Sequence, residues 1–92
     1  MGRVKISLFG SLARFVGEKT IYVNALTLED AINEVSTKYW KEFRSRILDE
    51  NGKIKRFVNV YVNGKDIRFL SNLKTALSDG DEVSFIPAVG GG

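Results

Sequence analysis

Val4, Ile6 and Leu8 alternate with Lys5, Ser7 and Phe9 in the opening stretch RVKISLF, the period-two pattern of a half-buried strand. Gly10-Ser11 then opens a short apolar turn, SLARFVG, closed by Gly17. KTIYVN reads as a second strand, so the chain should begin as a hairpin with a long connection.

The period changes at LTLEDAINEVSTKYW. Thr27 is a good N-cap, and Glu29 and Asp30 put negative charge in the first turn, where the helix dipole favours it. Leu28, Ile32, Val35 and Tyr39 fall on one stripe at helical spacing. Trp40, Phe43 and Ile47 form a second, rotated stripe, which predicts a break or bend between Lys38 and Lys41.

Strand signals then return. Asn51-Gly52 is a tight-turn pair. In FVNVYVNGKDI, Val58, Val60 and Val62 should face inward, ahead of a second turn at Asn63-Gly64. LKTALSDGDEVSFIP supplies a loop, the Asp79-Gly80 turn and a last strand closed by Pro87. The order is strand, strand, helix, strand, short strand, strand. It fits an α+β fold, the β-grasp, in which a mixed sheet carries one main helix on one face and the first and last strands lie parallel. Residues 1–87 should form that domain and residues 88–92 a flexible glycine tail.

Some apolar residues fall on the wrong face. Phe9 is out of phase with Val4, Ile6 and Leu8; Ile86 with Val83 and Phe85; Phe57 and Tyr61 with the valines of their strand. In the expected sheet order, Phe9, Tyr61 and Ile86 meet on the uncovered face beside the tail, as a partner-binding patch. The alternative is that twisted strand ends and loops cover them.

Composition narrows the chemistry. The chain has 92 residues, 43% hydrophobic and 27% charged, with a net charge of +3, which is ordinary for one globular domain. No apolar run approaches the roughly 20 residues of a membrane span. The start lacks a signal-peptide pattern, so a cytoplasmic location is expected. There is no cysteine and no histidine. That removes thiolate nucleophiles, imidazole bases and the usual metal ligands, so no metal site is expected. Lys41, Arg44, Arg46, Lys53, Lys55 and Arg56 cluster in sequence, interspersed with acids. With no interleaved aromatics, they read as a solvated face or a surface steering an acidic protein rather than as a nucleic-acid site.

The sequence ends AVGGG. Glycine backbone enters channels too narrow for other residues, and five residues can extend about 17 Å at ~3.3–3.6 Å each. Such a tail can carry the Gly92 carboxylate from a docked body into a partner's active site. A carboxylate is inert at neutral pH, so the partner must activate it, with ATP as the natural reagent. Sulfur or an amine can then attack the acyl-adenylate. The alternative is a slack end.

VKISLFGSLARFVG, VYVNG and LKTALSDGDEVSFIPAVGGG together resemble the small subunit of molybdopterin synthase, within the ubiquitin-like β-grasp sulfur carriers. The likeness spans essentially the whole chain. Departures are a single proline in the tail, Gly90 in place of the usual small residue, and a longer segment from Arg46 to Arg56. The resemblance implies that the Gly92 carboxyl is adenylated by an E1-like adenylyltransferase, with no cofactor bound by the carrier itself. Gly90 and Gly91 complete the tail, and Phe9 and Ile86 lie on the partner-facing surface. The thiocarboxylate would then donate sulfur on a molybdopterin synthase large subunit, for molybdenum- or tungsten-cofactor synthesis. The carrier would be a co-substrate, not an enzyme. A second implied role is a ubiquitin-like modifier joined through Gly92 to target lysines. Thiamin-pathway carriers fit less well because they tend to be shorter, and a plain RNA-binding module would make the tail irrelevant.

Overall fold

Burying every second residue of RVKISL makes Arg3–Leu8 the first strand, β1, with Val4, Ile6 and Leu8 in the core. The computed structural model describes residues 2–88. After β1 come helix α1 (Gly10–Val16), strand β2 (Thr20–Asn24), helix α2 (Leu28–Lys38) and helix α3 (Phe43–Ile47). Strands β3 (Val58–Val62) and β4 (Lys65–Asp66) follow, then two 3-10 turns (Ile67–Phe69 and Asn72–Lys74) and strand β5 (Glu82–Pro87).

The strands form one mixed sheet in the order β2-β1-β5-β3-β4, with β1 and β5 parallel at its centre. The other pairings are antiparallel. Register aligns Ile21, Ile6, Val83 and Val62 across the covered face, and Leu8, Phe85 and Val60 beside them. Helix α2 lays Leu28, Ile32 and Val35, all fully buried, onto this layer. Each such burial is worth roughly 1.5–3 kcal/mol against exposure. The Thr27 hydroxyl caps α2 by accepting the Asp30 N–H at 3.2 Å. Phe43 of α3 meets Phe85 edge-on at 5.2 Å between ring centres. The result is the expected α+β β-grasp, with α2 as its main helix.

Three local expectations change. Ser11–Val16 is not a turn but part of helix α1, whose C-cap Gly17, at φ 89°, donates its N–H to the Ala13 carbonyl. Seven residues are too few to show helical period: Leu12 is buried, and Ala13 and Val16 pack partly against the core. Tyr39 leaves the α2 stripe because the helix ends at Lys38; Tyr39 is its C-cap and is largely exposed. The expected break therefore falls where it was placed, and α3 restarts on Phe43 and Ile47. Val58 is only half-buried, unlike Val60 and Val62, because it lies at the sheet's end opposite Pro87. Residues 89–92, which include the expected tail glycines Gly90, Gly91 and Gly92, lie outside the described residues.

Candidate functional site

The uncovered face of the sheet is ordered in rows by the register. Thr20, Ser7, Ser84, Tyr61 and Asp66 run across its middle. Lys5 and Glu82 lie in the row on one side, where the Ser7 hydroxyl donates to the Glu82 carboxylate at 2.6 Å and Lys5 approaches the same oxygen at 3.9 Å. On the other side Ile86 faces Asn59, and Phe9 follows Leu8 in the same parallel register. The Phe9 N–H donates to the Phe85 carbonyl at 3.2 Å, so Phe9 still belongs to the ladder although β1 has ended.

The structure thus brings Phe9 and Ile86 together at the end of the sheet where β5 leaves it. Phe9 is 46% exposed and Ile86 half-buried. Tyr61 shares their face but stands in the polar middle row, opposite Ser84. Phe57 is the closer neighbour of the exit. It is 52% exposed, and its carbonyl accepts the Ala88 N–H at 2.6 Å. Its even spacing from Asn59 and Tyr61 was the signal that could have added it to the expected patch.

Gly10 is a second position whose role emerges only in three dimensions. Its φ is +56°, and a Cβ there would stand 3.2 Å from the Pro87 ring. Only glycine combines that left-handed turn with so close an approach, so this residue sets the path of β5 at its exit.

The sequence cluster of basic residues is divided by the fold. Arg44 is tied to Glu29 at 3.4 Å, and the Arg46 guanidinium lies over the Phe15 ring at 4.9 Å. Arg46, Lys55 and Arg56 line a recess of about 710 Å³ with Ser11, Phe57 and Val58, beside the tail exit. Asp49 shares it. The Lys53 N–H first, and the Asn51 N–H after it, hold the Asp49 carboxyl below its ordinary range. Among the described residues no group of acidic side chains converges as metal ligands, and no helix is long and apolar enough to cross a membrane.

A family model described as the ThiS family matches residues 6–92. The sulfur carrier protein CysO of Mycobacterium tuberculosis is 41% identical over 78 residues, 83% of each chain. Small archaeal modifier protein 3 of Haloferax volcanii is 34% identical over 92 residues, covering 97% of this chain and 98% of that one. Among solved structures, the Amycolatopsis orientalis BexX/CysO complex contains a chain that superposes with a TM-score of 0.87 at 34% identity. The match covers 97% of this chain and 99% of that chain.

Proposed function

The chain belongs to the ThiS family of ubiquitin-like sulfur carriers and small modifiers, and from that premise we propose that the Gly92 carboxyl is its reacting group. The observation that carries the proposal is the exit itself. Strand β5 leaves the sheet between the exposed rings of Phe9 and Phe57, with Ala88 held by the Phe57 carbonyl. Gly92 is four residues further on, within ~14 Å of extended chain at ~3.3–3.6 Å per residue. A partner seated on the patch can therefore draw the carboxyl into its own active site. Proteins of this kind carry the group while the partner supplies the catalytic residues.

In the first step an E1-like adenylyltransferase joins a Gly92 carboxylate oxygen to the α-phosphate of ATP, and pyrophosphate leaves. In the second, hydrosulfide attacks the acyl carbon, AMP leaves and one proton is released, giving the thiocarboxylate. The likeness to molybdopterin synthase small subunits makes a pterin precursor on the large subunit our proposed acceptor, while the CysO relatives support the carrier step without that destination. A second reading, conjugation to target lysines, is favoured by the likeness to small archaeal modifier protein 3. Incubation with the activating enzyme, ATP and hydrosulfide, read by intact mass, tests the common step. Adding the large subunit and precursor, or a lysine-rich protein extract, then separates the two destinations. The carrier reading requires sulfur to leave Gly92 with the pterin; the modifier reading requires an isopeptide to Gly92.

A further inference from the structure

On the β4 side the edge of the sheet opens into a cleft of about 560 Å³, distinct from the Phe9–Ile86 face but sharing Lys55, Arg56 and Val58 with the recess beside the tail exit. Its origin is the brevity of β4. Its two residues pair with Tyr61 and Val62, so among the described residues the outer side of β3 from Val58 to Val60 carries no strand. The segments Gly52–Arg56 and Ser71–Lys74 form the walls instead. Its floor includes Ile54, Val58 and Leu73, three partly buried aliphatic residues resting on the core.

The rim is strongly one-signed. Lys53, Lys55, Arg56 and Lys74 stand around it, and none makes a salt bridge among the described residues. Among the described residues the lining has one carboxylate, Asp66, already bound to Arg68 at 2.6 Å. No aromatic residue lines the cleft, so it offers no stacking platform of the kind single-stranded nucleic acids use. Aliphatic floor and cationic rim together complement a peptide that carries both aliphatic and acidic side chains.

We propose that this cleft binds a short acidic–aliphatic segment of a partner protein. Its aliphatic side chains rest on Ile54, Val58 and Leu73, and its carboxylates reach Lys53, Lys55, Arg56 and Lys74. Phe69, on the turn that supplies Ile67 and Arg68 to the lining, is 83% exposed. Phe9 and Ile86 lie on the open face of the sheet, whereas the cleft lies on its β3 edge and meets the recess beside the tail exit at Lys55, Arg56 and Val58. The inference needs nothing from Gly92 and stands apart from the tail reading.

The test is a titration of the unmodified, nitrogen-15-labelled protein, without ATP, followed by amide NMR shifts. The probes are the peptide Glu-Asp-Leu-Ile-Asp-Leu-Glu-Glu, a polyglutamate of equal length and an oligouridylate of equal length. The peptide should give saturable shifts at Ile54, Val58, Leu73 and Lys74. Reversing two rim charges, Lys53→Glu with Lys74→Glu, should weaken it roughly tenfold, since each exposed ion pair contributes only modestly. Ile54→Ser should weaken it too. Absence of saturable shifts at these amides overturns the proposal. So does equal binding of polyglutamate, which would leave the floor without a role, or tighter binding of the oligouridylate.

Discussion

Ala88 donates its N–H to the Phe57 carbonyl at 2.6 Å, one residue beyond the end of β5. This bond continues the β3–β5 ladder past Pro87 and fixes the direction in which the chain leaves the domain. It also sets the start of the tail beside Phe9, Ile86 and Phe57, three side chains the core does not bury. Exit and apolar surface coincide at this end of the sheet, where a docked partner would meet both.

Replacing Phe9 or Phe57 with lysine should weaken binding to the activating enzyme roughly tenfold or more, as expected for aromatic anchors at an interface. Both side chains are about half exposed, so stability should fall by less than about 1 kcal/mol. Calorimetric titration and urea denaturation of the same variants separate the two effects. Ile86→Lys should act in the same way with a larger stability loss, because Ile86 is half-buried. Unfolding of the Phe9 variant would mean that its ring belongs to the core.

The strands, their faces and the order of elements were legible because alternation and paired turn residues are local signals. Val4, Ile6 and Leu8 announce which side is covered, and Asn63-Gly64 announces a hairpin turn, with φ of 52° and 83° at those two residues. Helix α1 was not legible, since seven residues make two turns, too few for Leu12 and Val16 to establish a period. Phe9 and Ile86 could be placed on one face from alternation plus the parallel pairing of first and last strands. The division of the basic cluster could not be read. Arg46 stacks on Phe15 and Arg44 bonds to Glu29 because α3 turns back on earlier elements, which is information held in tertiary contacts. The role of Gly10 is hidden for the same reason: its close neighbour, Pro87, is distant in sequence.

Gly10→Ala should destabilise the domain by more than Gly64→Ala. Both residues have positive φ, which costs a side-chain-bearing residue about 1–2 kcal/mol. Only at Gly10 does the new Cβ also meet Pro87, at 3.2 Å, whereas at Gly64 it enters open space. Urea midpoints of the two variants give the comparison. Only Gly10→Ala should also shift the amide resonances of Pro87's neighbours, Ile86 and Ala88. Equal costs, with no shift at Ala88, would mean that the ring moves aside freely.

Acid stability should depend on Asp66. The Arg68 guanidinium, and after it the Arg68 N–H, hold its carboxyl below the ordinary value of 3.8. A group whose folded value lies below its unfolded one contributes stability above the unfolded value, and that contribution is lost as pH falls through the folded value. Asp66→Asn should therefore be less stable than the parent at pH ~7 but lose less further stability between pH ~4 and ~2. Urea midpoints across that range measure it, and parallel pH profiles for the two proteins would contradict it.

The central claim, that the Gly92 carboxyl is activated, is tested most directly by moving that carboxyl. Wild type, a chain lacking Gly92 and a chain with one alanine added after it are incubated with the E1-like enzyme, ATP and hydrosulfide. Their intact masses are then compared. Displacing a reacting group by about 1 Å can cost on the order of 10²-fold in rate, and one residue moves it further. Wild type should gain the mass of one oxygen-for-sulfur exchange, localised to Gly92, while both variants stay unmodified and melt as wild type does. Thiocarboxylate formation on the truncated chain at the wild-type rate would contradict the account.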